Sequence, residues 1–108
     1  MASINIAFGY AGGPGGSSNG TVPIFRGASV ESITNANGTS RQTTGAAPAT
    51  TGSAVSAAAR IVADAAIWYT IGVDPTAAAN ASGSYYLPAG FVDFPYVTSG
   101  QKIAVIEA

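Results

Sequence analysis

Residues 59–72 read Ala59-Arg60-Ile61-Val62-Ala63-Asp64-Ala65-Ala66-Ile67-Trp68-Tyr69-Thr70-Ile71-Gly72 and carry the only Trp of the chain among its densest block of large apolar side chains. In the second half of this stretch Ile67, Tyr69 and Ile71 alternate with Trp68, Thr70 and Gly72. β-Branched and aromatic residues repeating with period two describe a strand buried on at least one side. In the first half Arg60, Val62 and Asp64 alternate with Ile61, Ala63 and Ala65, which describes a second, half-exposed strand running straight into the first. The two strands are expected to form the centre of the core, with the remaining chain wrapped on them.

Working outward, the same period recurs in short pieces. Ile4, Ile6 and Phe8 alternate with Ser3, Asn5 and Ala7 before Gly9. Residues 9–20 are mostly Gly and Ser, have almost nothing to bury, and are expected to be a loop or arm. Residues 21–26 are β-prone, but Pro23 has no amide hydrogen to donate, so they read as an edge strand or a strand start. Residues 29–34 and 39–44 are two polar β-prone runs separated by Asn35-Ala36-Asn37-Gly38, and Asn-Gly tolerates positive φ, which predicts a hairpin. Residues 45–58 are small and read as a linker, with a short helix over 54–59 as the lesser reading. Turns follow at Asp74-Pro75, Pro88-Ala89-Gly90 and Ser99-Gly100, with strands at 85–87, 91–97 and 102–107 between and after them. About eight short strands and no amphipathic helix of useful length predict one all-β domain over residues 1–108, a small antiparallel β-sandwich or jelly-roll-like barrel.

Composition narrows the function classes. Hydrophobic residues make up 47% of the 108-residue chain, yet many are alanines that bury little area each. Charged residues make up only 8%, against roughly 25% in ordinary soluble domains. A free monomer usually keeps a mixed charged surface, so a chain that omits those charges fits a life spent covered by neighbours. A Ser, Thr and Asn surface that is polar but uncharged is the plainer alternative. The net charge of −1 comes with no basic run, which argues against binding nucleic acid through its phosphates. No stretch approaches the roughly 20 apolar residues of a membrane span. Met1-Ala2-Ser3-Ile4 lacks the charged start and apolar run of a secretory signal, so the protein is expected to be made in a cytoplasm.

Catalysis finds little to work with. The chain has no His and no Cys, which removes the commonest bases, nucleophiles and transition-metal ligands together. Its carboxylates are Glu31, Asp64, Asp74, Asp93 and Glu107, and they sit at turns or on polar strand faces where solvation or hydrogen bonding explains them. Asp74 and Asp93 with backbone carbonyls are the conceivable calcium ligands of a loop-rich β fold, but no spaced Asp cluster supports such a site. The glycines at 9–20 lack the Gly-Lys-Ser/Thr of a phosphate loop. A non-enzymatic protein without cofactor or metal is the expectation. The aromatics Trp68, Tyr69, Tyr85, Tyr86, Phe91, Phe94 and Tyr96 admit a carbohydrate-stacking platform, with core and interface packing as the more economical account.

Three pieces carry a family resemblance: Glu31-Ser32-Ile33-Thr34 with the Thr-rich run after it, residues 59–64 running to Gly72-Val73-Asp74-Pro75-Thr76-Ala77, and Leu87-Pro88-Ala89-Gly90 leading to Ser99-Gly100-Gln101-Lys102-Ile103-Ala104-Val105-Ile106. Together they resemble the small β-sandwich virion proteins of tailed bacteriophages, some of them of the head decoration or cement type. The resemblance covers roughly the last half of the chain and the 29–44 region, and none of its positions is catalytic. It implies a structural protein present in many copies, made in the host cytoplasm and carried in the virion. The partners implied are the major capsid protein and further copies of itself, as a trimer or dimer. Tyr10, Phe25, Arg26, Arg41 and Gln42 are the candidate contact residues. A receptor- or glycan-binding module of a tail or fibre, using Tyr85 and Tyr86, is the alternative; exposure of those tyrosines favours it and burial removes it.

Overall fold

The computed structural model describes residues 2–11, 25–49 and 56–108, with residues 25, 26 and 28 described as backbone only. Among the described residues there are eight strands: β1 (Ile4–Ala11), β2 (Phe25–Ile33), β3 (Arg41–Gln42), β4 (Ser56–Ala63), β5 (Ile67–Gly72), β6 (Ser84–Leu87), β7 (Val92–Asp93) and β8 (Lys102–Glu107). They form two four-stranded sheets, β2-β1-β4-β7 and β3-β8-β5-β6, with every pairing antiparallel. The protein is an all-β sandwich, as its alternating sequence predicts.

The pairings nest. Counted from β2, β5 pairs β6, β4 pairs β7, β3 pairs β8, and β2 pairs β1, with successive pairs falling in alternate sheets. A long antiparallel hairpin rolled so that its pairs alternate between two sheets is the jelly-roll arrangement. Here the N-terminal strand occupies the place that a strand following β8 would take. The chain ends accordingly lie together: the Ala2 amide donates to Glu107 Oε2 at 3.4 Å.

The core lies between the sheets. From one side β1 contributes Ile4, Ile6 and Phe8, and β4 contributes Ala57, Ala59, Ile61 and Ala63 at its inward positions. From the other, Ile67 and Tyr69 of β5, Leu87 of β6 and Ile103 and Val105 of β8 close the space. Ile4 and Phe8 of β1 sit beside Ala63 and Ala59 of β4, which leaves room for the side chains of the facing sheet, while Ile6 sits beside Ile61. Residues 59–72 do hold the middle of this arrangement, but as strands of opposite sheets, joined by a crossing at 64–66. Trp68 is not a core residue. Strand alternation sends Ile67 and Tyr69 inward and therefore turns Trp68 to the outer face, where it is half-buried against Tyr86 with ring centroids 5.2 Å apart.

The hairpin predicted at Asn37-Gly38 does not form. β2 and β3 belong to different sheets, and the chain crosses between them over residues 34–40. Gly38 does adopt the positive φ, 72°, that Asn-Gly favours, but in a bend of this crossing. Burial decides the path: Ala36 is fully buried, its carbonyl accepts the Glu107 amide at 3.0 Å, and Arg41 Nε donates to the Asn35 carbonyl at 2.9 Å. The helical alternative for 54–59 gives way to β4 from Ser56 on, because Ala57, Ala58 and Ala59 are all buried. Of the expected loop at 9–20, residues 9–11 belong to β1 and the rest lies outside the described residues. Of the expected linker at 45–58, residues 56–58 belong to β4, and Ala47 is buried and bonded through its amide to the Gln101 carbonyl at 2.7 Å.

Phe8→Ala removes the largest fully buried side chain of the core and is expected to lower unfolding free energy by about 3–5 kcal/mol in urea titration. Val73→Ser, at a position 75% exposed, is expected to stay within about 0.5 kcal/mol of the parent.

Candidate functional site

β6 and β7 are edge strands of the two facing sheets, and the short connection 88–91 places them on the same side of the sandwich. This side carries the aromatic surface of the protein. Tyr85, Tyr86, Phe91, Phe94 and Tyr96 are 57%, 52%, 63%, 50% and 64% exposed, with Val92 beside them. Each exposure has a local cause. Tyr85 and Tyr86 are neighbours in one strand, so they must point to opposite faces: Tyr85 leans over Tyr69 at 5.4 Å on the inner side, and Tyr86 packs on Trp68 outside. Gly90, at a φ of 80°, turns the chain from one sheet to the other. Pro95 and Tyr96 continue past the two-residue β7 along β4, through an Ala59 amide to Pro95 carbonyl bond of 2.9 Å and a Val97 amide to Ala57 carbonyl bond of 3.0 Å.

One side-chain bond ties the two sheets beneath these rings. Asp93 is on the inner face of β7, opposite Ile61, and its Oδ2 accepts a short hydrogen bond from the Tyr69 hydroxyl of β5. Its Oδ1 accepts the Phe94 amide at 2.9 Å. Burial first, then the hydrogen bond to Asp93 and the charge of that carboxylate, push the Tyr69 hydroxyl pKa well above the usual tyrosine value. The hydroxyl therefore remains a proton donor and not a base. Next to the edge, the outer face carries an open depression of about 360 Å³ lined by Ser3, Asn5, Val62, Ala63, Asp64 and Gly90. Asp64 there is engaged by the Ser3 amide at 2.8 Å.

The five residues singled out from sequence sit elsewhere. Tyr10 and the backbones of Phe25 and Arg26 come together at the far end of the β1–β2 pair, where Tyr10 faces Arg26 and Ala11 faces Phe25 in register. The Tyr10 hydroxyl is turned to the Ala49 carbonyl at 3.0 Å. Arg41 and Gln42 lie on β3, at the edge of the other sheet, and Gln42 Nε2 donates to Asp74 Oδ1 at 3.0 Å. The described side chains of this set thus brace loops. The carboxylates do not converge either: among the described residues no three Asp or Glu side chains are grouped to hold a metal ion. The signal for the aromatic edge was present in the sequence, since adjacent tyrosines in one strand cannot both enter a core and Pro95 marks an edge.

Comparison with protein-family models, with curated proteins and with solved structures yields no match for this chain.

Tyr69→Phe leaves one Asp93 oxygen without its donor and is expected to lower stability by about 1–3 kcal/mol at neutral pH. The sign of the pH dependence follows from the raised hydroxyl pKa. The parent keeps this contribution below about pH 10 and loses it as pH rises further, because the unfolded tyrosine ionises first. The phenylalanine variant should lack that alkaline decline in urea titrations at stepped pH.

Proposed function

We propose that this protein is a non-catalytic structural subunit of a phage virion, most simply a decoration or cement protein that seats on the outer head surface against the major capsid protein and stabilises the shell. The observation that carries the reading is the aromatic edge of β6 and β7: exposed Tyr and Phe side chains on these two strands and the residues beside them, on a protein with only 8% charged residues, are the kind of side chain that is buried in stable protein contacts. The sequence resemblance to small phage virion sandwiches supplies the setting.

Exposure of Tyr85 and Tyr86 is also what favours the alternative, a glycan-binding module of a tail or fibre. Aromatic rings can stack on sugars, but a sugar site also needs donors and acceptors placed around the rings. Along this edge Asp93 already accepts from Tyr69 and Phe94, and the Ser84 hydroxyl is paired with Thr70 at 2.7 Å. Apart from the hydroxyls of the exposed tyrosines, these polar groups are already committed within the protein, which suits a protein partner better than a glycan.

The test is co-sedimentation with empty head shells that lack this protein, together with the melting temperature of those shells. Saturable binding that raises the melting temperature is expected. The double substitution Phe91→Ser and Tyr96→Ser should weaken binding by about tenfold or more, as the loss of a contact worth about 1.4 kcal/mol would, while the variant's own unfolding stays close to the parent. Binding to tails or cell-surface glycan, with none to any head form, would replace this reading with the fibre module.

A further inference from the structure

Among the described residues the sandwich has four edge strands, β2, β7, β3 and β6, and they are not equivalent. β3 and β7 are two residues long. β6 is four residues long and ends at Pro88, whose carbonyl is taken by the Phe91 amide at 3.2 Å. β2 is nine residues long.

The register shows which backbone groups β2 presents. The Asp64 amide donates to the Ser3 carbonyl at 3.2 Å, and the Ala59 amide turns away from β1 to the Pro95 carbonyl at 2.9 Å. Antiparallel pairs alternate between bonded and non-bonded, so Asn5 and Ala7 direct their groups to β4, and Ile4, Ile6 and Phe8 direct theirs to Ile33, Glu31 and Ser29 of β2. The amides and carbonyls of Val30 and Ser32 therefore point out of the sheet, and no described strand pairs with them. Val30 is 68% exposed, and Ser29 and Ser32 are exposed and neutral. The one charge on this run, Glu31, is on the inner face with its carboxylate accepting the Thr44 amide at 2.7 Å and the Gly45 amide at 3.1 Å. A lysine, a proline or an inward charge left unpaired, which ordinarily protect an edge, are missing from residues 29–33, and the one irregularity of β2, a register shift at residue 28 opposite Phe8 and Gly9, lies just outside this run.

We propose that β2 pairs with β2 of a second copy of this chain, antiparallel about a two-fold axis at Val30, so that the β2-β1-β4-β7 sheets of two subunits join into one continuous sheet. The charge pattern of this edge favours a second copy, because a register centred on Val30 pairs the strand with itself and keeps its one charge, Glu31, opposite a neutral residue. In this register Val30 stands opposite the partner subunit's Val30 and exchanges both backbone hydrogen bonds with it, while Glu31 stands opposite the partner's Ser29. The alternative centred on Glu31 would set two carboxylates face to face, which is destabilising. An edge that complements itself in this way generates a closed dimer. This contact uses a different edge from the aromatic one and stands whatever that edge binds.

The test is sedimentation of the full chain over a concentration series up to about 1 mM, where even a weak dimer is populated, combined with amide hydrogen exchange. The expected result is a concentration-dependent species of twice the 10.6 kDa chain mass, with the Val30 and Ser32 amides slowed only when it forms. Ser32→Pro removes an outward amide that the monomer does not use, so the monomer should fold and the dimer should be lost. Val30→Lys, which keeps every backbone donor, should weaken association at least tenfold, and Val30→Thr should keep it. A monomer throughout the series, a dimer indifferent to Ser32→Pro, or slowed Val30 and Ser32 amides in a monomer would each overturn the proposal.

Discussion

The hydrogen bond from the Tyr69 hydroxyl to the Asp93 carboxylate is the constraint on which the aromatic side of this sandwich depends. β7 pairs with β4 through only two residues, Asp93 opposite Ile61 and Val92 opposite Val62, and its hold on that sheet is extended by backbone bonds from Gly90 to Ala63, Ala59 to Pro95 and Val97 to Ala57. The added tie reaches from the opposite sheet. It gives a carboxylate on the inner face the partner that such a position requires, and it pins the segment whose outer residues are Phe91, Phe94 and Tyr96. A part-buried polar bond thus helps set where an exposed apolar surface sits.

Side-chain volume explains why those rings are outside at all. Between the sheets, β1 supplies Ile4, Ile6 and Phe8 while β4 answers with Ala57, Ala59, Ile61 and Ala63. Alanines let the layers approach closely, and the space left is filled by Ile67, Tyr69, Leu87, Ile103 and Val105. A core built at this density has no room for five more aromatic rings. They stand instead around the β6 and β7 edge, where a monomer gains little from them. That mismatch between what the chain contains and what its core uses is the physical basis for reading the edge as a contact surface.

The all-β architecture was legible because period-two alternation runs through nearly every strand, as in Ile4-Asn5-Ile6 and Ile67-Trp68-Tyr69. Strand partners were not, because alternation says which residues share a face and nothing about which sheet they join. For that reason the pair at 29–44 read as a hairpin, although β2 and β3 lie in different sheets, and Trp68 read as core, although the inward turn of Tyr69 excludes it. The placement of Ala36 under Glu107 and of Asp93 under Tyr69 comes from contacts distant in sequence, which no local pattern encodes. The candidate contacts Arg41 and Gln42 lie in the polar run 39–44. Exposed they are, and each side chain is also held against the protein, Arg41 Nε by the Asn35 carbonyl and Gln42 Nε2 by Asp74.

The β6 and β7 edge is proposed as the surface this protein presents to a protein partner. Hydroxyl-radical footprinting reads it directly, comparing side-chain oxidation of the free protein with that of the protein bound to shells. The account predicts strong protection of Phe91, Tyr96 and Tyr86 on binding, with Tyr10 unchanged. Full reactivity of those three rings in the bound protein, with protection elsewhere, would contradict it.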